Sequence, residues 1–230
     1  MASHAQKIVE NLTEQEFAEL SVDFLIKITN ESERGAVLVG GSKIDEYLEN
    51  LVIKILPVKS KSYQSRLLNY PGPLSSFSGK IELLFAFRII DEKLYNSLNS
   101  LRKIRNDAAH SSKDFSLQKI KNKLDLIYDF EDGFKNAAKE LAFKNLIQFK
   151  KDNLRKAFIE KGFADQFDYE TMWHEKVPDP ESNETIQEHL TVWKFSYGLV
   201  FLCLKINAIA SDYEKQQESP LPDGLAKMAN

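Results

Sequence analysis

Ala36-Val37-Leu38-Val39-Gly40-Gly41-Ser42 is the stretch on which the fold turns. Taken locally, four apolar residues ending in Gly-Gly-Ser read as a buried strand entering a glycine-rich loop. A turn of that kind suits a nucleotidyltransferase, which also needs a pair of metal-binding carboxylates soon after it. The carboxylates that follow, Asp45 and Glu46, are adjacent, so on a strand they would point to opposite faces. Neither a P-loop nor a dinucleotide-binding fingerprint fits these glycines. The competing reading is a helix that starts at Ser32-Glu33, carries Ile44, Leu48, Leu51 and Ile55, and is stopped by Pro57. The two glycines are then the place where another helix comes close, at about 1 kcal/mol each in helix propensity. The helix is the reading we favour.

The rest of the chain agrees with it. Among 230 residues there are nine glycines and seven prolines, and no proline lies between Pro73 and Pro178. A β-sandwich or barrel needs turn residues every dozen positions or so, and they are missing. With 43% hydrophobic residues and a formal net charge of −3, the composition is that of a globular protein, long enough to bury a core without staples. The spacing predicts an all-α bundle.

Working outward, Thr13-Glu14-Gln15-Glu16 forms a capping box for a helix to about Ile28, with Phe17, Leu20, Phe24 and Ile28 inward. Lys59 to Leu68 is short and basic, and Tyr70-Pro71-Gly72-Pro73 is a turn. A helix is expected from about Ser76 to Ile89. Asp91 caps the next, which carries Leu94, Leu98, Leu101 and Ile104 on one stripe. Asp114 is the expected cap of another, with Leu117, Ile120, Leu124 and Ile127 inward. Phe134 to Lys161 is charged and amphipathic and is broken by Gly162. Asp165 to Ser182 reads as irregular around Pro178-Asp179-Pro180. The last helix runs from about Glu184 to Tyr213. The organisation expected is one all-α domain over residues 8–213, with a core at 8–130 and a helical C-terminal extension at 131–213 packing back on it. Residues 214–230 are expected to be a loosely held tail.

Several functions are closed off by the same residues. Cys203 is the only cysteine, so no intramolecular disulfide or cysteine-based zinc site can form, and its apolar setting marks it as a buried hydrophobe. His4, His110, His174 and His189 show no His-x-x-x-His spacing of a zinc hydrolase, and no cofactor-binding motif appears. The opening Met-Ala-Ser-His-Ala-Gln lacks the layout of a signal peptide. Phe195 to Leu204, the most apolar run, is about ten residues, short for a bilayer span. A cytoplasmic protein without a membrane segment is expected.

Chemistry concentrates in Leu101-Arg102-Lys103-Ile104-Arg105-Asn106-Asp107-Ala108-Ala109-His110-Ser111-Ser112. Arg102, Asn106 and His110 recur every four residues and share a helix face. Arg105 and His110 are five apart, about 140° around a straight helix. They converge if the helix ends or bends near Ala108-Ala109, or if a second subunit supplies one of them. The set suits a phosphodiester. Histidine exchanges a proton near neutral pH, and arginine presents a fixed fork of donors to phosphate oxygens. With no metal site in the sequence, the route to RNA cleavage is attack by the ribose 2′-OH. His110 would act as general base or acid, Arg105 would stabilise charge on phosphorus, and Asn106 would support either. From Leu101 to Lys123 seven basic residues face two acidic ones, a local field that attracts polyanions. Arg102, Lys103 and Lys113 are the candidate phosphate contacts. The competing reading is that these cations and the histidine complement the dipole of a helix C-terminus. Phe115 is the one aromatic residue obviously beside the patch, and sequence-specific binding is not supported.

Two stretches resemble the mannitol-operon-repressor (MltR-like) family. One is Glu31-Ser32-Glu33-Arg34-Gly35-Ala36 leading into Ile44-Asp45-Glu46-Tyr47-Leu48; the other is Gly72-Pro73-Leu74-Ser75-Ser76-Phe77-Ser78-Gly79-Lys80-Ile81 followed by Ile90-Asp91 and Arg105 to His110. Together they cover about Leu12 to Leu126. The Arg105-Asn106…His110 segment is also similar to the Arg-x4–6-His signature of the HEPN superfamily. That resemblance implies a small helical bundle, commonly a homodimer. In active members the arginine and histidine line a cleft between subunits and cut RNA without metal. It also implies a place in toxin–antitoxin or antiviral systems, with an antitoxin as a possible partner. The MltR-like resemblance implies instead a non-enzymatic transcriptional regulator that binds a protein partner, with Phe134 to Lys161 as a docking face. Leu141, Leu146, Phe149 and Phe158 within it are expected to complete the fold.

Overall fold

A computed structural model describes residues 23–110, 115–163 and 168–218. The expected capping box at Thr13, the cap at Asp114, Lys113 and the tail beyond residue 218 lie outside these. Residues 23–29 are helical, followed by α1 (Glu33–Ile55), α2 (Lys61–Leu68), α3 (Phe77–Ala86) and α4 (Glu92–His110). Then come α5 (Lys121–Asp125), set between the 3-10 turns Gln118–Ile120 and Leu126–Tyr128, α6 (Phe134–Glu160), α7 (Tyr169–Lys176) and α8 (Glu184–Glu218). Among the described residues there is no strand. The protein is all-α.

The Val37–Ser42 stretch lies inside α1. Ser32 caps this helix by accepting a hydrogen bond from the Gly35 N–H at 3.1 Å, and Ile44, Leu48 and Leu51 are fully buried. Gly40 and Gly41 point about 100° apart and so meet different neighbours. A Cβ on Gly40 would overlap Leu199 Cδ1 of α8; one on Gly41 would lie 2.8 Å from Arg105 Cδ of α4. The glycines therefore admit two helices to α1. Asp45 and Glu46 hold lysines rather than a metal pair: Lys80 Nζ lies 2.8 Å from Asp45 and Lys43 Nζ 2.9 Å from Glu46.

α8 is the other axis of the bundle. It packs along α1 and α6, while α4 and α3 pack on α1 and on each other. By length and composition Glu184–Lys215 could cross a membrane, but 67% of its apolar window is buried within the protein. Lys194 and Lys205 at its sides are tied to Asp125 at 3.0 Å and Glu131 at 2.8 Å. Burial works to raise the Asp125 carboxyl pKa, but hydrogen bonds from Lys135 and Lys194 outweigh it and hold it below the usual carboxylate range. α6 buries Phe134, Ala138, Ala142 and Leu146, so this segment completes the fold through Leu146; Phe149 stays exposed on one side, its ring 5.5 Å from that of Trp193.

Cys203 has no exposed surface, and burial pushes its thiol well above the ordinary range, suppressing the reactive thiolate. Iodoacetamide at neutral pH is therefore expected to leave the native protein unmodified and to alkylate it only after unfolding, as read by intact mass. Prompt modification of the native protein would place Cys203 at the surface.

Four segments depart from the sequence expectation. The helix expected after Asp114 is broken into a 3-10 turn, the short α5 and a second 3-10 turn, although Leu117, Leu124 and Ile127 do point inward. The Leu126 carbonyl accepts from Ser97 Oγ of α4 at 3.1 Å, and the tight turn sends both Ile127 and Tyr128 into the core. The segment expected to be irregular from Asp165 contains α7, started by Asp168, whose carboxylate accepts from Thr171 Oγ1 at 2.6 Å, and anchored by buried Trp173. α3 stops at Ala86 rather than Ile89 because Arg88 turns left-handed at φ 56°, which lets the Ile89 N–H reach the Leu84 carbonyl at 2.9 Å. α8 continues past Tyr213 to Glu218.

Candidate nucleic-acid interface on α4

Asp91 starts α4 by accepting a hydrogen bond from the Leu94 N–H at 2.8 Å. Leu94, Leu98, Leu101, Ile104 and Ala108 then take the buried stripe, as their spacing predicts. That choice turns Lys103, Asn106, Asp107 and His110 to solvent and leaves Arg102 and Arg105 partly buried at the border. Arg102 is steadied by its own helix, its Nε donating to Asn99 Oδ1 at 3.0 Å. Asp107, the acid of the patch among the described residues, is engaged by Lys123 at 3.1 Å. Lys103 faces solvent and forms no ion pair among the described residues. Lys113 lies outside the described residues.

Arg105 stands apart from the others. Its methylene stem lies against Gly41 of α1, and its guanidinium sits over the ring of buried Phe77, 5.8 Å from the centroid. No carboxylate or hydrogen-bond acceptor among the described residues meets it. The buried or nearly buried lysines are treated differently. Lys80, 2% exposed, is shared by Asp45 at 2.8 Å and Glu49 at 3.0 Å, and Lys194 and Lys205 each have an acid. A partly desolvated cation left without an anion interacts more strongly with an incoming one than a fully solvated cation does. The Phe77 ring and the close approach to Gly41 also limit the space open to the Arg105 side chain, so less rotamer freedom is lost when a phosphate is bound.

The helix does not bend to join Arg105 and His110. α4 is continuous through Ala108-Ala109 to His110, so five residues of helical pitch leave the two side chains about 140° apart in one chain. Arg102, Asn106 and His110 do follow one another along a common face. Among the described residues no cluster of three histidine, cysteine, aspartate or glutamate side chains is arranged to hold a metal ion. Phe77 and Gly41 are the site residues that the sequence reading missed. Gly41 was legible as a close-approach position, but the residue approaching it was not. Phe77 reads as one of many apolar positions until α3 is placed beside α4.

Comparison with protein-family models, curated proteins and solved structures finds no significant match to this chain.

Proposed function

We propose that the protein binds RNA through α4 and is a metal-independent endoribonuclease of HEPN type. The observation that carries this is Arg105: a partly buried guanidinium over the Phe77 ring, 5.8 Å from its centroid, with no acid among the described residues to neutralise it. Arg102 and Lys103 extend the cationic surface along the same helix, where phosphates would be held by charge and not by base identity. Asn106 and His110 lie on the exposed side of the same helix and supply polar and proton-transfer groups.

In the reaction that these groups suit, the ribose 2′-OH of the substrate is the nucleophile. His110 takes its proton as the 2′-oxygen attacks phosphorus, and the bond from phosphorus to the 5′-oxygen breaks. The leaving 5′-oxygen takes a proton from the imidazolium or from water, which gives a 2′,3′-cyclic phosphate and a 5′-hydroxyl. Arg105 donates to the non-bridging oxygens, where negative charge grows in the transition state. Because the two side chains point about 140° apart on one helix, the cleft needs Arg105 from one copy and His110 from another. On this reading the protein acts as a homodimer with two composite sites.

End-labelled single-stranded RNA incubated with the purified protein in EDTA is expected to yield fragments ending in 2′,3′-cyclic phosphate. DNA of the same sequence should stay intact, since it lacks the attacking hydroxyl. RNA left whole by a folded protein, or cut equally well by His110→Ala, would remove the nuclease assignment.

A further inference from the structure

From Asn50 to Ile81 the chain runs 32 residues without one aspartate or glutamate, and it carries Lys54, Lys59, Lys61, Arg66 and Lys80. In a protein with more acids than bases this run is a second concentration of positive charge, separate from α4 in sequence. The structure sorts the five. Lys54 is paired with Glu214 at 3.0 Å, and Lys80 with Asp45 and Glu49. Lys59 caps the C-terminal end of α1, its Nζ donating to the Lys54 carbonyl at 2.8 Å, and meets no carboxylate among the described residues. Lys61 and Arg66 are exposed and form no ion pair with a described residue. Three cations are thus left uncompensated on and beside α2.

α2 itself is hard to explain as a core element. Only Leu68 of its eight residues is buried, and the helix packs little against its neighbours. Its surface carries two tyrosines among the cations. Tyr63 is 37% exposed with the Arg66 guanidinium 5.3 Å from its ring centroid, and Tyr70, just past the helix, is 91% exposed. A phenol ring so open to water contributes almost nothing to folding. Cations interleaved with exposed aromatic rings are the combination that binds the backbone by charge and stacks unpaired bases.

The surface is also joined to the α4 site. The Leu74 N–H donates to the Leu67 carbonyl in the last turn of α2 at 2.9 Å, and Phe77, the ring under Arg105, comes three residues later. Three residues of chain reach at most about 11 Å. One strand can therefore engage α2 and continue to Arg105.

We infer that α2 and the following turn are a docking surface for single-stranded RNA: Lys59, Lys61 and Arg66 hold phosphates, and Tyr63 and Tyr70 stack bases. This rests on the RNA-binding reading of α4 and names the form of RNA it takes. Charge complementarity decides the occupant class, and the tyrosines favour unpaired bases over a duplex, whose bases are already stacked.

The test is a fluorescence-anisotropy titration of labelled oligouridylate, of a duplex RNA of equal length, and of vesicles rich in phosphatidylserine. The proteins are wild type, Tyr63→Ala/Tyr70→Ala, Lys61→Gln/Arg66→Gln and Arg105→Gln, each checked for native circular dichroism. The double tyrosine variant is expected to bind oligouridylate about tenfold or more weakly and the duplex almost unchanged. Lys61→Gln/Arg66→Gln should flatten the slope of log affinity against log salt by about 0.7 per charge removed. Wild-type affinity in both α2 variants, with a loss confined to Arg105→Gln, would overturn the α2 surface and keep the function. Tighter binding to vesicles than to RNA, abolished in the α2 variants, would overturn it in favour of a lipid surface. No RNA binding by the wild-type protein would overturn both readings.

Discussion

Gly198→Ala is expected to destabilise the protein, although replacing a glycine in the middle of a helix by alanine ordinarily stabilises it. Gly198 is buried in α8, and an added Cβ there would run into the Cε1 and Cδ1 atoms of Tyr128. That ring cannot step aside. It is 2% exposed, the Lys194 ammonium lies 4.9 Å from its centroid, and Lys194 is held in turn by Asp125. Overpacking costs about 3 kcal/mol and the gain in helix propensity returns about 1, so the net loss is about 2 kcal/mol. For a chain of this size that is a fall in Tm of about 4–8 °C. Shrinking the opposing ring with Tyr128→Leu should recover part of the loss in the Gly198→Ala background, with a coupling above about 1 kcal/mol. A Tm raised by Gly198→Ala would mean that α8 and the turn at Tyr128 do not meet there.

The largest effect on activity is expected at the composite site proposed above. Removing a donor that faces charge developing in the transition state typically costs about 10²–10³ in rate, and Arg105→Gln should fall in that range with folding intact. His110→Ala should cost at least as much, because it removes the group assigned to proton transfer. The two inactive variants then make a sharper experiment together than apart. If each site takes Arg105 from one copy and His110 from the other, a mixed dimer carries one site with both residues and one with neither. Equal mixing after subunit exchange should restore about a quarter of wild-type activity by simple pairing statistics. No recovery would show that both residues act within one chain, against the 140° that α4 puts between them.

Where patterning acted over one or two helical turns, the fold was legible. The Ile44, Leu48, Leu51 repeat and the Ser32 cap are enough to set α1 as a helix, and the structure adds why Gly40 and Gly41 sit inside it. The Asp91 cap and the inward stripe of α4 were equally plain. What failed were places where a distant partner decides. α2 escaped notice because only Leu68 is buried and its Ser60 N-cap makes no side-chain hydrogen bond. The segment from Gln118 to Tyr128 has the inward residues of a helix, but Ser97 takes a carbonyl from it across the interior. α7 rests on the local Asp168 cap and one buried tryptophan, a signal masked by the prolines that follow. The α4 residues suggested phosphate chemistry by type. That Arg105 has a ring beneath it and no acid among the described residues beside it depends on α1 and α3, which no window along α4 contains.

In the function proposed, Arg105 meets no acid among the described residues so that it can take a phosphate. The affinity of wild type and Arg105→Gln for the same single-stranded RNA, in EDTA at fixed salt, tests it most directly. A charge-assisted hydrogen bond of this kind contributes about 1.5–3 kcal/mol, so the variant should bind at least about tenfold more weakly. Equal affinities in two equally folded proteins would contradict the claim and leave Arg105 as a packing residue over Phe77.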